Sequence, residues 1–216
     1  MHYTINRIPP APLEAIDFSS AEEGRVSHVR PESSAHHPET RFYLLQDGAA
    51  LYVQFCVKDA HVRSVQTEYQ GPVYTDSCCE LFVQPVAGKG YFNFEINAGG
   101  TLLLTYIEDP TRVPGGFATF TRVDNAWGSQ VEIRSSLPRV VDPERAADWT
   151  LRFRIPFALF EHYTGSAPAK EWRGNVYKCG DNTSQPHWLS WSPVSALNFH
   201  LPECFGSFSL SGCISG

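Results

Sequence analysis

The chain has 216 residues, of which 42% are hydrophobic, 13% aromatic and 19% charged, enough apolar material for one sizeable core and no compositional sign of disorder. Its net charge is −6, from 17 Lys and Arg against 23 Asp and Glu, with no basic cluster. That balance excludes nucleic acid and an anionic membrane surface as partners, since both call for a basic stripe, and no stretch approaches the ~20 apolar residues of a membrane helix.

The opening stretch MHYTINRIPPAPLEAIDF lacks the basic region and apolar run of a signal peptide. This fits retention inside the cell if Met1 is the native start, and a periplasmic or surface location if a leader has been removed. Residues 1 to 40, rich in Pro, Ser, His and Glu, read as an arm packed on a single domain that spans 41 to 216, with a short strand near Tyr3 to Ile8. Strands are then expected at 41 to 46 and 50 to 58. In the second of these, Leu51, Val53, Phe55 and Val57 alternate with Tyr52, Gln54, Cys56 and Lys58, the period of a half-buried strand. A loop is expected from Asp59 to Val73.

The stretch from Tyr74 to Gly100 predicts a hairpin. Cys79, Leu81 and Val83 share one face of its first strand and Glu80 and Gln84 the other. In its second strand Phe92, Phe94 and Ile96 oppose Tyr91, Asn93, Glu95 and Asn97. Pro85, Gly88 and Gly90 supply the turn. One face of this hairpin suits a core and the other a polar ligand. Further strands are expected at 101 to 108, 117 to 123 and 129 to 135, with a turn at 125 to 128. Trp149, Leu151, Phe153 and Ile155 then mark a strand at 149 to 155, and strands at 174 to 180 and 205 to 210 close the chain. Helix is expected only at 157 to 163 and near Pro143 to Ala147. About ten short strands separated by turns predict an all-β fold, an antiparallel β-sandwich of immunoglobulin-like or jelly-roll type with one or two short helices.

The six cysteines, Cys56, Cys78, Cys79, Cys179, Cys204 and Cys213, show no C-x-x-C spacing and read as free thiols. The eight histidines contain no H-E-x-x-H, which argues against a zinc site. Calcium fits better, with oxygens from Asp59, Asp76, Asp181 or loop carbonyls, as a structural ion; no other cofactor is expected. A glycosidase pair drawn from Glu80 and Glu95 is the enzymatic alternative, and no G-x-S-x-G elbow supports a serine hydrolase. A haem-binding electron-transfer sandwich is limited to bis-His ligation, because Met1 is the only methionine. Flat aromatic rings with a rim of Asn, Glu and Lys instead suit a pyranose, which presents apolar faces and edge hydroxyls.

The motifs YTDSCCELF at 74 to 82, FEINAGG at 94 to 100, WTLRFRIP at 149 to 156, LSWSP, and FHLPECFG at 199 to 206, taken in this order over about 41 to 210, resemble family 9 carbohydrate-binding modules, and more closely their bacterial "family 9-like" group. The resemblance implies a β-sandwich that binds saccharides without hydrolysing them, holding a sugar between two aromatic rings, with calcium in the loops. It assigns the two rings to Tyr74 and Phe199, where the family typically has Trp. Polar edge contacts fall on Glu80, Glu95, Asn97 and Lys178, with Glu95 standing where the family can offer a basic residue. The expected ligand is a saccharide and the expected protein a non-catalytic one.

Overall fold

The computed structural model describes residues 1–212. Fourteen strands form in chain order: β1 (His2–Arg7), β2 (Gly24–Arg25), β3 (His28–Val29), β4 (Glu39–Gln46), β5 (Ala50–Ser64), β6 (Cys78–Gln84) and β7 (Tyr91–Asn97), followed by β8 (Leu102–Val113), β9 (Gly116–Arg122), β10 (Glu132–Ser135), β11 (Val141–Pro156), β12 (Glu171–Cys179), β13 (Trp188–Ser190) and β14 (Gly206–Leu210). Helices α1 (Asn125–Gly128) and α2 (Phe157–Thr164) complete the fold, together with short 3-10 turns such as Val73–Thr75.

The strands run in the order β10-β11-β5-β4-β1-β14-β12-β6-β7-β8-β9. β1 joins the two halves, pairing in parallel with β14 through His2 to Ile5 and with β4 through Asn6 and Arg7. The sandwich is therefore mostly antiparallel with a parallel seam. The N-terminal segment contributes this seam strand. The 3-10 turns after it place Leu13, Ile16 and Phe18 over the outer side of Leu45, Ala50 and Tyr52.

Between the two layers, alternate residues bury one continuous core. β5 contributes Leu51, Val53, Phe55 and Val57, β6 Cys79, Leu81 and Val83, β7 Phe92, Phe94 and Ile96, and β11 Trp149, Leu151, Phe153 and Ile155, all at most 2% exposed. Each fully buried aliphatic or aromatic side chain contributes about 1.5–3 kcal/mol through apolar area removed from water. α2 closes one end of this core, and its Phe160 packs against Phe92, Phe94 and Trp172.

Four local expectations change. Residues 59 to 64 are not loop, because β5 runs on to Ser64 and finds a partner in the first half of β11. The same pairing makes residues 143 to 147 strand rather than helix, with Arg145 opposite Val62 and register shifts on either side of it. Residues 125 to 128 form a helical turn whose first amides are capped by Asp124, which accepts from Trp127 N at 3.0 Å. β8 and β9 extend through the Pro/Gly segment to Val113 and Gly116, giving a long projecting hairpin. Among the six cysteines Cys213 lies outside the described residues, and the other five carry free thiols.

Candidate saccharide-binding cavity

The outer face of the β12-β6-β7-β8 layer is assembled by register. Tyr177, Glu80, Glu95 and Leu103 lie in one row across the four strands, and Asn175, Phe82, Asn93 and Thr105 in the next. Strand alternation turns all eight side chains away from the core. The segment from Val194 to Phe205 and the Val73–Thr75 turn cover part of this face, and the β8–β9 hairpin walls it. What is left is a cavity of about 550 Å³ lined by Tyr74, Glu80, Asn93, Glu95, Arg112 and Phe117, with Phe120, Arg122, Asp181, Trp188, Phe199 and His200 completing the wall. This volume lies within the range of small-molecule sites.

Two carboxyls make the floor. Glu80 is 3% exposed and accepts from the Cys179 thiol at 3.0 Å. Burial, followed by the neighbouring Cys179 and Glu95, pushes its carboxyl well above the usual range. Glu95, 5% exposed, accepts from Asn93 Nδ2 at 2.6 Å through Oε1, while Oε2 has no hydrogen-bond partner among the described residues. Burial pushes it up to about 7, against the Asn93 hydrogen bond, which favours the ionised form. Asn93 is in turn oriented by Thr105 N, which donates to its Oδ1 at 2.9 Å. A carboxyl that retains its proton both donates and accepts, so this floor offers both kinds of hydrogen bond to a ligand hydroxyl.

Aromatic rings border the same space. Tyr74 is 41% exposed at the mouth. Phe199 has one face occupied by Tyr177, stacked at 4.1 Å between centroids, so only its other side is available. Trp188 is fixed by its indole N–H donating to Asp181 at 2.7 Å. On the hairpin, the Arg112 guanidinium sits 4.1 Å over the Phe117 ring. The His200 ring nitrogen Nδ1 lies 2.9 Å from the Tyr91 hydroxyl. Burial and then the Arg112 charge push this imidazole down to about 3, so it is neutral near pH 7.

Of the six site residues expected from sequence, the structure brings Tyr74, Glu80, Glu95 and Phe199 to one cavity. Asn97 lies on the same strand face, but at its roofed end. It donates to Gln66 O and Asp76 Oδ2, both at 2.9 Å, and accepts from Thr101 N. Lys178 lies on the opposite face of β12, fully buried, with Nζ 2.7 Å from His187 Nε2, 2.9 Å from Cys179 O and 3.4 Å from Asp59 Oδ2. Neither reaches the cavity. Sequence reasoning missed Arg112, Phe117, Phe120 and Arg122 as wall residues: Arg112 lies in the hairpin extension, and β9 is set beside the cavity by its pairing with β8. Asn93 could have been found, since it shares the alternation of Glu95.

The three carboxylates expected for calcium do not fit that ion as they stand. Asp76 accepts from Arg63 at 2.7 Å and from Val65 N, Gln66 N and Asn97. Asp59 is taken by His36, the His61 amide and Lys178. Asp181 holds Trp188. Among the described residues they do not converge on a common point. Arg63 and Lys178 already supply positive charge to Asp76 and Asp59.

The model of carbohydrate-binding family 9 matches residues 11–210. The chain belongs to carbohydrate-binding family 9. A proposed carbohydrate-binding protein from Bacteroides uniformis ATCC 8492 is similar to it in structure, with 28% identity and a TM-score of 0.85 over 97% of this chain and 99% of that one. Two structures of a family 9 module from Caldicellulosiruptor kristjanssonii share its fold. The one in complex with glucose has 13% identity and a TM-score of 0.67, and covers 100% of this chain and 98% of that one. The one in complex with cellotriose has 12% identity and a TM-score of 0.66, with the same coverage. A search of curated proteins gives no match. The family match begins at residue 11, ahead of the 41 to 210 span of the resemblance, and takes in the turns that pack on β4 and β5.

Proposed function

We propose that this family 9 chain binds a saccharide in the cavity without hydrolysing it. The observation that carries this reading is the pairing of a buried, hydrogen-bonding carboxyl floor at Glu80 and Glu95 with aromatic walls at Tyr74, Trp188, Phe117 and Phe199. A sugar ring needs both: flat apolar surface for its C–H faces and directional partners for its hydroxyls. Glu95 Oε2, buried and unpartnered among the described residues, is an acceptor that a ligand hydroxyl would satisfy.

Binding is favoured over hydrolysis by geometry. Glu80 and Glu95 are cross-strand partners rising from one floor, whereas a glycosidase sets its two carboxyls on either side of the scissile bond. A bis-His haem is disfavoured because His200 is the one histidine among the residues lining the cavity. Glucose and cello-oligosaccharides, the ligands held by the Caldicellulosiruptor module, are the first to test. Titration calorimetry with these and a broad glycan panel should give a dissociation constant below the millimolar range for at least one glycan. Tyr74→Ala should weaken that affinity by at least about tenfold, about 1.4 kcal/mol. Binding by no glycan on the panel would refute the reading.

A further inference from the structure

The antiparallel pairing of β6 and β12 sets Cys78 directly opposite Cys179. Glu80, two residues along β6, projects from the same face. One ligand atom from each of the three, the two Sγ and a carboxylate oxygen, falls within 4.8 Å of the others, and all three residues are buried. Cys179 Sγ is 3.0 Å from Glu80 Oε1, and both cysteines are free thiols. No spacing in the sequence announces this group, because the two cysteines come from strands far apart in the chain.

Such a grouping is costly without a purpose. Two thiols and a carboxyl are enclosed together, and Glu95, the cross-strand partner of Glu80, adds a carboxylate oxygen with no hydrogen-bond partner among the described residues. The Cys179 thiol donates to Glu80, and three metal-ligating atoms this close together make a cradle that a cation would complete. Two sulfurs and one oxygen suit a borderline-soft divalent ion in tetrahedral geometry. They do not suit calcium or magnesium, which take oxygen ligands.

The geometry points to a site for Zn²⁺ or a similar thiophilic divalent ion at the base of the cavity, held by Cys78, Cys179 and Glu80. Coordination replaces the thiol protons and the Glu80 carboxyl proton, which pass to solvent. One ion against three anionic ligands leaves a single negative charge and a fourth position for water or a ligand oxygen. Glu80 and Cys179 both line the cavity, so that position opens toward it. The inference stands apart from the saccharide reading: the metal site rests on ligand atoms, and either can fail without the other.

Cobalt is the probe. The full chain, reduced and freed of metal with a chelator, is titrated with Co²⁺ and followed by absorption, with bound metal counted after equilibrium dialysis. The expected result is one equivalent of Co²⁺ with a thiolate-to-cobalt charge-transfer band in the near ultraviolet, displaced by Zn²⁺. Cys78→Ser and Cys179→Ser should each abolish the band, whereas Cys56→Ser and Cys204→Ser should retain it. Glu80→Gln should retain a thiolate band at weakened affinity. If the serine variants misfold by circular dichroism, the wild-type spectrum decides alone. A wild-type protein that binds Co²⁺ without a charge-transfer band, binds less than one equivalent, or keeps the band in a folded Cys78→Ser variant overturns the inference.

Discussion

Lys178→Met tests what the lysine in β12 does. Its ammonium is fully buried, 3.4 Å from Asp59 Oδ2 and within hydrogen-bond reach of His187 Nε2 and the Cys179 carbonyl. Burial alone would raise the Asp59 carboxyl, but the Lys178 charge, the His61 amide and the His36 ring outweigh it and hold it below the usual carboxylate range. Methionine matches the stem and removes the charge, leaving Asp59 buried with no cation at Oδ2. Breaking a buried ion pair from one side costs about 3–5 kcal/mol, a large part of the ~5–15 kcal/mol that holds a domain folded. Removing both charges, in Lys178→Met with Asp59→Asn, should recover much of that loss, because no unpaired charge remains. Urea unfolding followed by tryptophan fluorescence gives both free energies, and calorimetry on the folded double variant reads glycan affinity. Because Lys178 faces away from the cavity, that affinity should match the wild type. A single variant that loses less than about 1 kcal/mol, or a double variant no more stable than the single one, refutes the ion-pair argument. A glycan affinity lost in the folded double variant returns Lys178 to the ligand site.

Three further outcomes follow from the packing. His187 is fully buried, and burial and then the Lys178 charge push it down to about 3 from an ordinary 6.5. It is therefore neutral when folded, while the unfolded chain takes up a proton below pH 6.5. Its contribution is intact above pH 6.5 and declines as pH falls toward 3, by about 2 kcal/mol at pH 5; His187→Gln should lack this component in urea unfolding at pH 7.5 and pH 5. Gly174→Ala would set a Cβ 2.2 Å from the Phe82 carbonyl oxygen and 2.6 Å from the Phe208 ring. It should destabilise by about 1–3 kcal/mol, read as a lowered Tm. Phe160→Ala, opening a cavity against Phe92, Phe94 and Trp172, should cost about 3–5 kcal/mol in urea.

The β6–β7 hairpin was legible in the sequence because its alternation is nearly uninterrupted, and that alternation alone puts Glu80 and Glu95 on one face. The same rule, applied to β12, puts Lys178 with Gly174 and Val176, on the core side, and Tyr177 and Cys179 toward the cavity. The motif resemblance drew Lys178 to the wrong face; counting strand parity corrects it. Asn97 shows a different limit. Its face was right, but the 65–77 segment folds over the strand end and consumes its amide, a long-range contact that local pattern does not carry. The helix expected near Pro143 to Ala147 yields to strand because the overhang of β5 offers a pairing edge, tertiary context overriding local preference.

Why a polar cavity opens on the β12-β6-β7-β8 layer follows from what covers each layer. The outer side of β4 and β5 is covered at Leu45, Ala50 and Tyr52 by the apolar residues Leu13, Ile16 and Phe18, and beyond them it carries half-buried or exposed side chains such as Arg41, Gln54 and Lys58. The outer side of β12, β6, β7 and β8 is only partly covered: Val194 and Phe205 pack on Phe82 and Tyr91 at one end, and Val73 on Cys78 and Cys179 at the other. Between these two plugs the sheet carries Glu80, Asn93, Glu95 and Thr105, polar groups that a close-packed apolar cover would leave unsatisfied. The cost of burying them is met in part by Asn93, Thr105 N and the Cys179 thiol. What those partners leave over, the Glu95 Oε2 atom and the free edges of two carboxyls, is hydrogen-bonding capacity held inside an aromatic-walled space. A fold that buries polar groups in this way gains little stability from them, and under the proposed saccharide reading a ligand hydroxyl would complete their hydrogen bonds.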